Sequence, residues 1–369
     1  MKVFQAHVLG QHYLKYFNKK VNAQINTSFL ERKQALLDDR HCSSHILKPM
    51  YENDPQSNLV IADDEISQMA WAKEHSLKTN SLNEILISQV EDFQPDVFYI
   101  TDPTQFSSAF VKRLPSGVKI KIAFYASLIE DVLVNDISEY DLIVSNFETL
   151  NAELTKKIGI KTLWFAPSWD PEMKSYADNL ERPTDLFFSG SYRKIAGYDE
   201  RLEVLNTIAG NSDKHLVDIC LMTRPFSRYG SRGILRWIPV PTAIPRNIKE
   251  IKSPPVYGRD MLEKQSRAKI VINPATDIAG LIRGNMRCWE AMGCGACMLG
   301  TEGLYPEGFI AGENFETFNS IADLKMKIDS LLSDNDRRLD IANKGKEMIS
   351  KVWSKERQWI DFQKIVSES

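Results

Sequence analysis

The sequence predicts an α/β protein of two doubly wound domains, each a parallel sheet with helices on both faces. Three observations predict it. The chain has 369 residues, too many for one ordinary core and enough for two domains of about 150–200 residues. Short apolar runs alternate with segments of helical period, the pattern of parallel strands joined by crossover helices. The alternation breaks once, at Ala166-Pro-Ser-Trp-Asp-Pro171, and a polar stretch runs on to Pro183, which reads as a linker. The expected organisation is a first domain over 1–167, a linker over 168–183 and a second domain over 184–352, with the two sheets facing a cleft.

Taken in order, Met1 to Gly10 reads as a first strand, not a signal peptide, because it has one cation and no sustained apolar stretch. Ser81-Leu-Asn-Glu84 has the form of a capping box, and Leu82, Ile85, Leu86, Val90 and Phe93 follow at helical spacing. Pro95 stops that helix, and Asp96–Thr101 is the next strand. Val118–Ala126 is a further strand. Asp141–Ser145 is strand-like, and Ser145-Asn-Phe-Glu148 again has capping-box form. Phe147, Leu150, Leu154 and Ile158 line one helix face, and Gly159 suits its C-terminal cap. Ile160–Phe165 closes the first sheet.

The second half restarts with Asp185-Leu-Phe-Phe-Ser-Gly-Ser191, read as a strand followed by a turn of small residues. A helix over 199–209, a strand over 216–222, an irregular proline-rich stretch over 238–258, a helix over 259–268 and a strand over 269–273 follow. The last third is helical, with Ile321, Leu324, Ile328, Leu331 and Leu332 on one face and two further amphipathic helices after Asn335 and Ser354.

Composition excludes several classes. Hydrophobic residues make up 43%, charged residues 26%, and the net charge is −3, which describes a globular protein without a nucleic-acid-binding face. No apolar run reaches the roughly 20 residues needed to span a bilayer. The expectation is a soluble cytoplasmic protein, with peripheral attachment to a membrane left open. Five scattered cysteines fit a reducing compartment. Cys294-Gly-Ala-Cys297 matches a redox or zinc spacing, but no second pair or nearby histidine completes a metal site, and it straddles a helix end and a strand start.

The chemistry concentrates in Arg283-Gly-Asn-Met-Arg-Cys-Trp-Glu-Ala-Met-Gly-Cys-Gly295. A helix opening near Asn285 and closing at Gly293 places Arg283, Arg287 and Glu290 on one face, four and three residues apart. A helix start beside two arginines suits a diphosphate, because its N–H groups, its dipole and the guanidinium forks all favour an anion. Glu290, further along the helix, would reach a ribose. An exposed Arg–Glu helix pair, contributing under ~1 kcal/mol, is the alternative reading of the same spacing.

The segment Asn285–Gly295, in the form Asn-Met-Arg-x-x-Glu-Ala-x-Gly-x-Gly, resembles the donor-site helix of GT-B glycosyltransferases, in particular the CgeB-like "family 1" enzymes. Ala268–Asn273, Phe188–Ser191, Gly312–Phe315 and Ile341–Gly345 resemble flanking parts of the same domain. The resemblance implies a nucleotide-sugar donor as substrate, no metal or other cofactor, and a last helix over 353–369 packing back on the first domain. It implies that Glu290 holds the donor ribose, that Arg287 lies near the phosphates and that Ser189, Gly190 and Ser191 approach them. One departure stands out. Eight positions before Glu290, where many retaining relatives carry a second glutamate, this chain has Ile282, so the resemblance implies no stereochemistry.

Further donor-site candidates are Tyr192 and Arg193, Arg224 after a strand, Asn273 at a strand end, and Tyr257 beside the base. Each is equally readable as an ordinary loop or strand-end residue. Arg228, Arg232 and Arg236 read as a solvated or acceptor-side patch. His12 and Asp102, past the first strand and past the strand ending at Thr101, are candidate general bases for an acceptor hydroxyl. His7 reads as a packed strand residue, and Trp353 and Trp359 as anchors of the last helices. The expected function is transfer of a sugar from a nucleotide sugar to a glycan or other hydroxyl acceptor, in surface-polysaccharide or glycoconjugate synthesis. Cleft closure would exclude water. A nucleotide-sugar epimerase of the same fold and a non-catalytic glycan-associated protein are the alternatives.

Overall fold

The structure, a computed structural model, describes every residue except 22–27, 127–136, 193–198, 224–243 and 276–279. The chain divides into two compact units. The first comprises Met1–Asp170, Tyr257–Arg259 and Trp353–Ser369, and the second Pro171–Val256 and Asp260–Val352.

In the first unit, β1 (Val3–His7), β2 (Ser57–Ile61), β3 (Val97–Ile100), β4 (Ile120–Phe124), β5 (Leu142–Ser145) and β6 (Thr162–Trp164) form a parallel sheet in the order β2-β1-β3-β4-β5-β6. Side chains alternate between faces, and both faces are apolar, as a parallel sheet requires. Phe4, Ala6, Val60, Phe98, Ile100, Ala123 and Ile143 enter one core. Val3, Leu59, Ile61, Val97, Tyr99, Ile122, Leu142 and Val144 enter the other. Phe4 pairs with Phe98 across β1 and β3, and their rings stack 6.1 Å apart. Burying one such ring contributes about 1.5–3 kcal/mol.

The helix Lys355–Ser367 closes the second face with Phe362 and Ile365. Ser354 caps it. The buried Lys355 ammonium donates to Ser43 O (2.5 Å) and Ile46 O (2.6 Å), and Gln358 donates to Ser44 O (2.8 Å) and Ala166 O (3.2 Å). Burial pulls the Lys355 pKa down to about 7. Trp353 is buried against Trp164, and Trp359 stacks on Phe362.

In the second unit, β7 (Thr184–Tyr192), β8 (Val217–Thr223), β9 (Lys252–Ser253), β10 (Ala268–Asn273), β11 (Cys297–Thr301) and β12 (Glu316–Phe318) form a parallel sheet in the order β12-β11-β10-β7-β8-β9. Leu186, Phe188, Ile219, Leu221, Ile270, Ile272 and Leu299 pack with Val204, Leu205 and Ile208 of the helix Asp199–Ala209 and with Leu324, Ile328 and Leu331 of the helix Ile321–Ser333. On the helix Asn335–Val352, Gly345 permits close approach, since a Cβ there would lie 2.5 Å from Asn314 O.

The structure corrects several local expectations. Ser189, Gly190 and Ser191 are not a turn: β7 runs through them and pairs with β8 as far as Tyr192–Thr223, because Cys220, Leu221 and Met222 extend the partner strand equally far. Within 238–258, Arg246–Ile251 is helical and Lys252–Ser253 is a strand, Ile248 being a fully buried anchor. Met173–Ala177, inside the expected linker, is helical. Neither proposed capping box forms. Ser81 precedes the helix Leu82–Phe93 without a side-chain cap, and the helix Glu148–Ile158 starts after Phe147 rather than Ser145.

Candidate functional site

The second sheet reverses its strand order between β7 and β10. Their ladder ends at Phe187–Val271, while β7 continues beside β8 to Tyr192. The two strands part beyond that rung, and a crevice at the carboxyl ends of such strands is where doubly wound sheets take ligands.

Asn273 ends β10. Asn285 Nδ2 donates to Asn273 Oδ1 at 3.3 Å, and Asn273 Nδ2 reaches Asn285 Oδ1 at 3.5 Å and Cys288 Sγ at 3.2 Å. Asn285 in turn caps the helix Met286–Gly293, its Oδ1 accepting from Arg287 N at 3.0 Å. The chain reaches this cap through Gly284 at φ 116°, where a Cβ would press on the Pro306 ring at 2.9 Å. The helix is fixed from behind by fully buried Trp289 and Met292. Its start therefore stands at the crevice on a rigid support.

Glu290 is 6% exposed, and its Oε2 accepts from Arg287 Nη1 and from Gln265 Nε2 (3.4 Å). A carboxylate this buried needs a positive partner, and Arg287 supplies it. Arg287 itself is 23% exposed, so it can exchange Glu290 for an incoming anion. Glu290 Oε1 is the oxygen not engaged by either partner. The arrangement can hold a diphosphate at Arg287 and the helix start, and a hydroxyl at Glu290. Cys288 is no nucleophile here, since burial pushes its thiol up to about 12.

Arg283 is placed differently from Arg287. Its guanidinium donates to Gly280 O (2.6 Å), Ile282 O (3.3 Å) and Glu302 O (2.8 Å), so it ties the loop together. Ser189, Gly190 and Ser191 are half-buried on β7, and Tyr192 is buried. Tyr257 belongs to the first unit, where its ring packs edge-on against Tyr13, Tyr16 and His41 at 5.3–5.9 Å. Arg193, Arg224, Arg228, Arg232 and Arg236 lie outside the described residues.

In the first unit, His12 is exposed on the helix Gln11–Lys20, which follows β1. Asp102 follows the neighbouring strand β3, and its Oδ1 accepts from Thr104 N (2.9 Å) and Thr104 Oγ1 (2.7 Å). His7 is buried within β1, and burial lowers its pKa. Cys294 and Cys297 are buried at the helix end and strand start expected for them.

The sequence reading passed over Gln265 and Arg201. Gln265 is fully buried and holds Glu290 from the helix Gly258–Ser266. Arg201 occupies the first position of the stripe Arg201, Val204, Leu205, Ile208. A polar side chain on the buried stripe of a helix was the available signal in both cases.

A family model described as glycosyl transferase-like matches residues 215–363, less than half of the chain. A search among curated proteins found no match. Solved structures are similar at low identity. The Anabaena protein Alr3699/HepE, solved with UDP-glucose, is 10% identical with a TM-score of 0.61, over 100% of both chains. A glycosyltransferase from Rickettsia africae is 10% identical with a TM-score of 0.54, over 100% of this chain and 98% of that one. Staphylococcal (S. aureus) TarM, solved with UDP and alpha-GlcNAc-glycerol, is 10% identical with a TM-score of 0.51, over 76% of this chain and 58% of that one. This chain thus spans less than two thirds of TarM's length. The fold is GT-B. In GT-B terms the first unit is the N-terminal α/β domain, completed by the C-terminal helix, and the second is the C-terminal α/β domain. Among the described residues, no helix is long and apolar enough to cross a membrane.

Proposed function

We propose that this chain is a glycosyltransferase that binds a nucleotide sugar at the β7/β10 switch point of its second unit and transfers the sugar to a hydroxyl acceptor. The observation that carries the reading is the pairing of buried Glu290 with partly exposed Arg287 on a helix whose start stands at that switch point. The glycosyl transferase-like match spans this helix and Gln265.

On this reading the donor diphosphate draws Arg287 off Glu290 and meets the dipole of the helix start. Glu290, kept in place by Gln265, accepts a hydrogen bond from the ribose. Ser189, Gly190 and Ser191 border the phosphates from β7. Catalysis rests on positioning and on stabilising the departing diphosphate by Arg287, without a metal. The acceptor binds the first unit, where His12 and Asp102 follow adjacent strands and are the candidates for its base. The motif Asn285–Gly295 supports placement among CgeB-like enzymes. A glycan acceptor in polysaccharide or glycoconjugate synthesis fits that placement.

A thermal-shift panel of nucleotide sugars tests the reading, with UDP-sugars first because the Anabaena neighbour was solved with UDP-glucose. A ligand bound only by the folded state raises the melting temperature with its concentration. Absence of a shift with every nucleotide sugar would contradict the proposal.

A further inference from the structure

Resting on that reading, we infer that Arg201 is a positioning residue that sets the width of the donor crevice without touching the donor. Arg201 is 9% exposed, and its fork spans two strands whose ladder has already ended. Nη1 donates to Ser191 O on β7 at 3.1 Å, and Nη2 donates to Pro274 O, just past β10, at 2.9 Å. Phe188 lies beneath the guanidinium, 5.9 Å from ring centre to Cζ. The neighbouring Glu200 ties in a third strand. Thr301 Oγ1, at the end of β11, donates to Glu200 Oε1 at 3.2 Å and accepts from Ala275 N at 3.0 Å.

The first turn of one helix thus references three strand ends to each other. Both carbonyls held by Arg201 lead directly to donor-binding groups. Ser191 carries the Ser189–Ser191 edge. Pro274 follows Asn273, whose amide meets the Asn285 cap and hence the turn presenting Arg287. A planar guanidinium holds two carbonyls at a fixed separation, whereas an ammonium is a single point and cannot. Glu290 is held separately, by Gln265 and Arg287. Arg201 therefore acts on the diphosphate part of the ligand and not on the nucleoside part.

The test compares wild type, Arg201→Lys and Thr301→Val for binding of UDP, GDP and ADP, and of uridine, guanosine and adenosine, by ligand-observed NMR, with melting temperatures alongside. For Arg201→Lys, diphosphate affinity is expected to fall about tenfold, with nucleoside affinity within about twofold of wild type, because a displaced binding group loses its geometry while the ribose holder stays put. Thr301→Val leaves Arg201 in place and loosens one strand end, so a loss of about threefold in the same diphosphate-specific sense is expected. A merely structural role would lower both affinities together in proportion to the folded fraction. An unchanged ratio of diphosphate to nucleoside affinity in the folded variants overturns the inference, and Thr301→Val decides alone if Arg201→Lys does not fold. A wild type that binds none of the nucleotides overturns the donor-site reading itself, which is a separate and recognisable result.

Discussion

The two units share one plan, six parallel strands with one switch of order, between β1 and β3 in the first and between β7 and β10 in the second, yet the groups beside the switch are held differently. In the first, the buried carboxyl of Asp63 holds the loop between β1 and the helix Gln11–Lys20. Asp63 accepts from Leu9 N (2.9 Å) and Gly10 N (2.7 Å), and Thr101 Oγ1 accepts from Val8 N (2.9 Å). In the second, the helix after β10 starts at the neutral cap Asn285, and the charges nearby, Arg287 and Glu290, are paired with each other. Asp63 thus satisfies the loop's own amides from within the unit. On the proposed reading, a neutral cap with an exchangeable arginine beside it leaves the positive pole for a ligand's phosphates.

The largest effect expected from breaking the second site is on turnover. Arg287→Met should lower kcat by about 10²–10³-fold, since on the proposed reading it removes a donor aimed at charge developing on the leaving group. Steady-state kinetics would show this, and a variant with wild-type kcat would remove Arg287 from that role.

The first unit should instead reveal itself through pH. Burial, with the Lys355 charge adding, holds His45 at a pKa of about 4 against 6.5 for an ordinary histidine. Below about 6.5 the unfolded chain takes up a proton that the folded chain refuses, so stability falls as pH drops from there toward about 4. The full loss is about 3 kcal/mol. Melting curves from pH 7 to 4.5 should be steeper in pH for wild type than for His45→Phe, and equal slopes would contradict the assignment.

Asp63→Asn sharpens the contrast directly. It should destabilise the protein by about 1–3 kcal/mol in denaturant titrations, by leaving buried amides poorly satisfied, while nucleotide affinity stays at the wild-type value. A large loss of nucleotide affinity in this variant would mean that the two switch points are not distinct in role. The smallest effect is that of Asn285→Ala, about 1 kcal/mol of stability from a lost helix cap, again read by denaturant titration.

Much of this was legible in the chain, for a physical reason. Buried parallel strands such as Ile270–Ile272 are continuous apolar runs, and Asp199–Ala209 carries its stripe at helical spacing. Gly159 at φ 72° ends its helix as a glycine there should. The helix behind Asn285 was readable because cap, apolar face and closing glycine agree. The failures were local choices decided by tertiary contacts. A capping box forms at Ser28–Glu31, whose pattern is no stronger than that at Ser81–Glu84. Ser189–Ser191 look like a turn, but pairing with β8 holds them extended. Arg283 and Arg287 look equivalent in sequence, but Arg283 is held by the carbonyls of Gly280, Ile282 and Glu302 and Arg287 by Glu290. Tyr257 packs among aromatics over two hundred residues earlier, which no local pattern announces.

Calorimetric titration of Glu290→Ala beside wild type, with the nucleotide sugar that gives the largest thermal shift, is the most direct test of the second switch point as the donor site. The account predicts a folded variant whose binding is weaker by at least ~1.5 kcal/mol, because a charged acceptor has been removed. A folded variant with undiminished affinity would contradict it.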